Sequence, residues 1–306
     1  MSRAVYGAGL ALALAFGLAA GGASATIDRF VVEERGELPR ARIHKRLIEE
    51  GELTRKYDLR VVDESGLELE MFVREPKRPR DDMAGMLLLA GFGTGREALD
   101  LVEERDDVVV MSMNYPYEGE RRIEPTGLQK LRRTAFAALD GGVLAVDYLS
   151  ARDDVDDDRI VLVGVSFGAL FATPVAAYDK RVDGLVLIYG GGDLPEIVAS
   201  NPPAGLSWVP PSLIAAGTWA YAGDFDPLHH IEALAPRPLL MANSTSDETF
   251  PVSSARKLFA RAKEPKEILW YDTGHADLFE PRVVAGIADD VVEVLEGWGL
   301  VPEGSD

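Results

Sequence analysis

The sequence predicts an α/β protein: a mainly parallel central sheet with an N-terminal antiparallel hairpin, helices on both faces, and a small cap insert. Three observations carry that expectation. Short, continuous apolar runs recur at 86–90, 108–113, 160–163, 184–188, 238–242 and 267–271, and a strand apolar at every residue is one covered on both faces. Helix-length segments separate them, with helices expected at 127–151, 167–178, 252–262 and 281–298, as crossovers between parallel strands require. Ahead of these, the strand-like stretches 56–62 and 67–73 flank Glu64, Ser65 and Gly66, turn residues that fold the pair into a hairpin.

The chain has 306 residues, no internal repeat and no long low-complexity linker. That length supports one large core, here assigned to 26–306, with the cap insert at 190–235. A net charge of −19 in a chain 47% hydrophobic and 27% charged belongs to a solvated globular surface rather than to disorder. Nucleic acid is excluded as a partner, because such a surface repels a polyanion. The short basic stretch Lys77, Arg78 and Arg80 reads as an exposed loop. There is no cysteine, which rules out disulfides, thiolate metal sites and a lipid-modified N-terminal cysteine.

At the N-terminus, Arg3 precedes an apolar run over 4–20, followed by Ala23, Ser24 and Ala25 as a small-residue cleavage site. This is the pattern of a signal peptide over 1–25, and it implies export to a bacterial periplasm or exterior. A retained signal anchor is the alternative. No later segment is long and apolar enough to cross a bilayer, so no stable membrane span is expected after cleavage.

Ligands of such sheets bind at the carboxyl ends of the strands, so the residues that follow each strand are the informative ones. The run Ile160 to Val163 enters Gly164-Val165-Ser166-Phe167-Gly168, and Ala169, Leu170, Phe171 and Ala172 continue as a helix. A strand, a G-x-S-x-G turn and a small-residue helix together make a nucleophile elbow. The serine sits on a sharp turn that exposes its hydroxyl, and the glycines leave room for the neighbouring strand and helix.

Serine needs a base, usually a histidine held in one tautomer by a carboxylate. Four histidines are present. His44 lies ahead of the expected sheet, and His229 and His230 fall in a helix or loop before the strand at 238–242. His275 directly follows the last strand and is the expected general base. Asp247, in the segment after the 238–242 strand, is the expected orienting carboxylate, with the adjacent Glu248 as the alternative. Asp272 and Asp277 read as solvated or capping groups. The order Ser166, Asp247, His275 is the one this elbow architecture uses.

A tetrahedral oxyanion needs two amide donors. Phe167 supplies one, and the turn Gly91-Phe92-Gly93-Thr94-Gly95 supplies the other through Phe92, with Gly93 close behind. The insert holds Trp208, Trp219 and Tyr221 among paired prolines at 202–203 and 210–211. Trp208 and Trp219 are therefore candidate substrate-binding residues, as are Tyr115 and Tyr117 after another strand. Simple packing of the insert onto the domain is the competing explanation of the same aromatics.

Together these segments resemble the α/β-hydrolase superfamily, especially its dienelactone-hydrolase-like and acyl-peptidase-like serine esterase branches. The resemblance runs from about Lys56 to the C-terminus and is most specific at Ser166, at Asp247 with Pro251, and at Thr273-Gly274-His275. It implies the α/β-hydrolase fold and a serine hydrolase cleaving carboxylic esters through an acyl-enzyme. It also implies no metal, no organic cofactor, and a small-molecule ester or acyl substrate. A peptidase or thioesterase would use the same machinery, and a non-catalytic binding protein retaining the fold is the alternative of a different class. Two departures stand out: Ala90 precedes Gly91 where the family often has histidine, and the elbow carries serine where a dienelactone hydrolase proper has cysteine.

Overall fold

The computed structural model describes residues 41–91, 93–116, 125–202 and 205–303, with the backbone alone for 125–132 and for Phe279. The expected signal peptide over 1–25 lies outside the described residues. One nine-stranded sheet runs in the order β1-β2-β3-β5-β4-β6-β7-β8-β9. Strands β1 (Arg42–Glu50), β2 (Thr54–Val62) and β3 (Glu68–Pro76) are antiparallel to one another, and β3 is antiparallel to β5 (Val108–Met113). The remaining neighbours are parallel: β4 (Met83–Leu89) beside β5 and β6 (Val155–Val165), then β7 (Gly184–Ile188), β8 (Leu239–Ser244) and β9 (Lys266–Tyr271).

The central strands are apolar throughout because both faces are covered. In β4, Leu87 and Leu89 face one cluster, and Ala84 and Leu88 face the other, the period of two that a pleated strand imposes. The first cluster includes helices α1 (Pro125–Ser150), α2 (Ala169–Tyr178), α3 (Leu194–Ser200), α4 (Pro211–Ala222) and α5 (Val252–Arg261). The second is closed by α6 (Pro281–Gly297) through Ile287, Val291 and Leu295, with Ala98 and Leu99 from a 3-10 helix at Gly95–Leu101. In α2 every residue from Ala169 to Ala177 is buried, which explains why that helix is apolar all round.

Strand β1 departs from the expectation. The sequence puts His44 ahead of the sheet, whereas it lies inside this edge strand. All nine residues of β1 are exposed, so no burial-driven alternation marked them. Ion pairs such as Arg46 with Asp58 of β2 and Lys45 with Glu75 of β3 tie the strand to the sheet. Elsewhere the expected strands and helices appear with ends shifted by a few residues, the largest extension being the N-terminal part of β6.

The elbow joins β6 to α2 at close quarters. A Cβ added at Gly164 would lie 2.6 Å from Ala172 Cβ, and one at Gly168 would lie 1.8 Å from the carbonyl oxygen of Leu89. These glycines are required by contact with backbone and small side chains, which cannot swing away. Gly168→Ala is accordingly expected to destabilise the fold by about 3 kcal/mol, read as a lowered midpoint in urea unfolding; an unchanged midpoint contradicts the packing described here.

Candidate active site

Ser166 follows the end of β6, where Val165 is paired with Ile188 of β7. Its backbone sits at φ 53°, a left-handed conformation that costs a residue with a side chain about 1 kcal/mol or more. The sharp reversal directs the hydroxyl to His275: Ser166 Oγ lies 2.8 Å from His275 Nε2. On the other side of the ring, His275 Nδ1 lies 2.9 Å from Asp247 Oδ2. A carboxylate can only accept at that position, so Nδ1 carries the proton and Nε2 is left to accept from the serine hydroxyl.

Asp247 is almost wholly buried, with 1% of its side chain exposed. Its second oxygen, Oδ1, accepts from the backbone N–H groups of Thr249 and Phe250 at 2.6 and 2.8 Å. Glu248, the alternative orienter, takes a different part: its Oε2 accepts from the backbone N–H of His275 at 3.0 Å. Asp277 caps the same loop, accepting from Gly274 N at 2.6 Å, and Asp272 accepts from Ser246 Oγ.

Three residues that sequence reasoning did not single out complete the support of the imidazole. The Phe250 ring stacks on His275 with centroids 5.8 Å apart and planes 18° apart, and the Tyr189 ring meets it at 5.8 Å and 66°. The Tyr189 hydroxyl is hydrogen-bonded to Thr273 Oγ1, and Ser244 Oγ donates to the Thr273 carbonyl. Burial pushes the Tyr189 hydroxyl pKa up, so it stays a neutral brace. Tyr189 is also at positive φ, 51°. Its address at the end of β7 was legible in the sequence; the partner of its hydroxyl was not.

On the side of the expected oxyanion hole, a Cβ added at Gly91 would meet Ser166 Cβ at 3.8 Å, so this turn runs alongside the serine. Phe92 lies outside the described residues, as do Tyr117 and Pro203. Gly93 is at φ 89°, and Thr94 N donates to Gly91 O. The turn is held from β5 and the residues after it. Ser112 Oγ is within 3.1 Å of both the Leu88 and Gly95 carbonyls, and the Tyr115 hydroxyl donates to Ala90 O at 2.7 Å. Burial drives the Tyr115 hydroxyl pKa far up. Its ring packs on Phe167 at 5.6 Å and Phe171 at 5.4 Å. Tyr115 is thus beside the elbow, with its hydroxyl committed to the turn.

The tryptophans of the insert are placed differently. Trp208 is 79% exposed and Trp219 66% exposed, and Trp208 Nε1 donates to Gly205 O. Among the described residues, neither indole makes a hydrogen bond or ring contact with Ser166, Asp247 or His275. The other histidines are engaged elsewhere: His229 Nδ1 with Gly223 O, and His230 with Asp224 O and the Tyr178 hydroxyl. Also among the described residues, no group of three or more His, Asp or Glu side chains is arranged to hold a metal ion.

Comparison with known proteins agrees with this geometry at the level of fold and family. Acetyl xylan esterase 1 of Thermoanaerobacterium sp. superposes with a TM-score of 0.59 at 16% identity, over 81% of this chain and 88% of that one. Pyrococcus horikoshii acylaminoacyl peptidase gives a TM-score of 0.60 at 15% identity, over 80% of this chain and 42% of that one. Among curated sequences, the uncharacterized protein YfhR of Salmonella typhi is 26% identical over 154 residues, 50% of this chain and 52% of its own length. The chain spans about half the length of the curated relatives it matches. Residues 117–283 match the model of the dienelactone hydrolase family, a stretch that takes in Ser166, Asp247 and His275. Since that match covers more than half of the sequence, the chain belongs to the dienelactone hydrolase family.

Proposed function

We propose that this chain is a serine hydrolase that cleaves carboxylic esters through an acyl-enzyme on Ser166. The observation that carries the reading is the unbroken hydrogen-bonded line from Ser166 Oγ through His275 to the buried carboxylate of Asp247. His275 Nε2 takes the hydroxyl proton as Ser166 attacks the ester carbonyl, and Asp247 stabilises the imidazolium that results. The Phe167 N–H and an amide of the turn at Phe92 receive the oxyanion, interactions worth about 3 kcal/mol each in such sites. The imidazolium then protonates the leaving alcohol, and water, activated by the same base, releases the acid.

The preference for esters draws on the family and on the name of the acetyl xylan esterase that shares the fold. A peptidase would use the same groups on a less reactive carbonyl. Export by the leader over 1–25 is part of this proposal and rests on the sequence pattern alone.

In the folded protein a fluorophosphonate is expected to label Ser166, and Ser166→Ala to abolish both the label and the hydrolysis of p-nitrophenyl butyrate; an unlabelled wild type rejects the serine mechanism. Asp247→Asn presents the wrong tautomer and should lower kcat on that ester by about 10⁴-fold with little change in KM. Steady-state kinetics give the result directly, and a kcat within tenfold of wild type assigns the orienting role elsewhere. Tyr115→Phe removes the donor to Ala90 O and leaves a buried carbonyl unsatisfied, a loss of about 1 kcal/mol. The expected effect is a kcat lowered five- to tenfold at unchanged KM. Cleavage of p-nitroanilides but of no p-nitrophenyl ester, long or short, would overturn the substrate class.

A further inference from the structure

The insert between β7 and β8 holds the longest uncharged stretch of the chain. No charged side chain occurs between Glu196 and Asp224, in a protein that is 27% charged with a net charge of −19. Within it, α4 buries Ile214, Thr218 and Ala222 and leaves Leu213, Ala216, Trp219 and Ala220 exposed. Leu213 is 63% exposed, Trp219 66%, and Trp208, just before the helix, 79%. The solvent face of a helix packed on a core normally carries charged or polar residues. Here it carries leucine, alanine and tryptophan with Ser212 as its exposed polar side chain, a face without the charges that cover the rest of the surface. The insert leaves the sheet after Ile188, whose strand partner Val165 is the residue before Ser166, so it starts at the end of the sheet that holds the candidate site.

We propose that this face docks on an uncharged lipid surface, zwitterionic headgroups over acyl chains. Charge selects the occupant. An acidic chain is repelled by an anionic bilayer and by a second copy of itself, whereas a face without charge meets a surface without net charge at no electrostatic cost. Area argues against the second copy as well. Twelve residues of α4 make a helix about 18 Å long, with one face of roughly 200 Å², against the roughly 800 Å² that each partner gives to a stable protein interface. A lipid surface needs less, since a few side chains entering the headgroup boundary suffice. Tryptophan is the side chain suited to that boundary, with an apolar body and a polar edge. Among the described residues no helix is long and apolar enough to cross a membrane, so α4 lies along the surface. Combined with ester hydrolysis, on which this one consequence rests, docking would present Ser166 to esters carried by that surface.

The test uses the full chain mixed with vesicles of phosphatidylcholine, plain or brominated on the acyl chains, with tryptophan emission as the readout. The expected leader contains no tryptophan, and the chain has four, of which Trp208 and Trp219 are exposed and Trp270 and Trp298 half-buried. Brominated vesicles are expected to quench the emission and plain ones not to. L213E/A216E places two charges on the face, outside the proposed catalytic groups, and should weaken vesicle binding by about tenfold or more. Absence of quenching in the wild type overturns the proposal. So does equal quenching in L213E/A216E, which would assign binding to the leader, and so does a wild-type dimer in sedimentation velocity that the two charges abolish. Should circular dichroism show the variant misfolded, lipids brominated at successive acyl depths decide on the wild type alone: strongest quenching by the shallowest bromines supports docking, and strongest quenching by the deepest overturns it. None of these readouts needs turnover, so failure of docking and failure of ester hydrolysis are separately visible.

Discussion

One backbone constraint governs the site: a serine held at φ 53° between a strand and a helix. That conformation is unfavourable for a residue with a Cβ, so the surroundings must over-determine it. They do so by close packing. Gly164 lies against Ala169 and Ala172, and Gly168 against the backbone of Leu89 and Ala90. The small-residue start of α2 is therefore a consequence of the turn, because larger side chains would push the helix off the sheet. The same contact that fixes the serine brings the end of β4, and with it the Gly91 turn, beside Ser166.

The remaining groups arrive on loops, and loops need bracing before they can hold an imidazole to a few tenths of an ångström. The ends of β8 and β9 are paired, Ser244 with Tyr271, so the segments carrying Asp247 and His275 leave the sheet together. The Ser244 hydroxyl then holds the Thr273 carbonyl, and Thr273 in turn holds the Tyr189 hydroxyl. Phe250 joins the two roles: its N–H fixes Asp247 and its ring stacks on His275. These residues are linked to Ser166 through the histidine that they brace.

What the sequence made legible was whatever is written locally. Apolar runs marked β4 to β9, glycines and small residues marked the elbow, and address after a strand marked His275 and Asp247. The hairpin of β2 and β3 was legible from its turn residues and the strand-like stretches on either side. Strand β1 was not, because an edge strand exposed along its whole length is held by pairing and by ion pairs rather than by a buried face. Tyr115 was marked as an aromatic following a strand, and Tyr189 was not singled out. Their function depends on which distant carbonyl or hydroxyl each phenol meets, and no local pattern encodes that. Trp208 and Trp219 read as candidate pocket walls because the insert sets aromatics over the carboxyl end of the sheet; how far each is exposed depends on tertiary packing that no local pattern encodes, and both are largely exposed.

The adjacent carboxylates Asp247 and Glu248 show how chain length sorts function once a loop is fixed. Both are within one residue of the same address, and the sequence made Asp247 the expected orienter with Glu248 as the alternative. Asp247 has the shorter side chain, and Oδ1 folds back onto the N–H groups two and three residues ahead, a local turn open to aspartate and awkward for glutamate. That turn buries the carboxylate and leaves Oδ2 aimed at His275 Nδ1. Glu248, exposed and one methylene longer, reaches across to the backbone N–H of His275. One carboxylate therefore sets the tautomer and orientation of the ring while the other sets the position of the backbone that carries it. Exchanging the two side chains would conserve charge and composition, yet neither could take the other's hydrogen bonds.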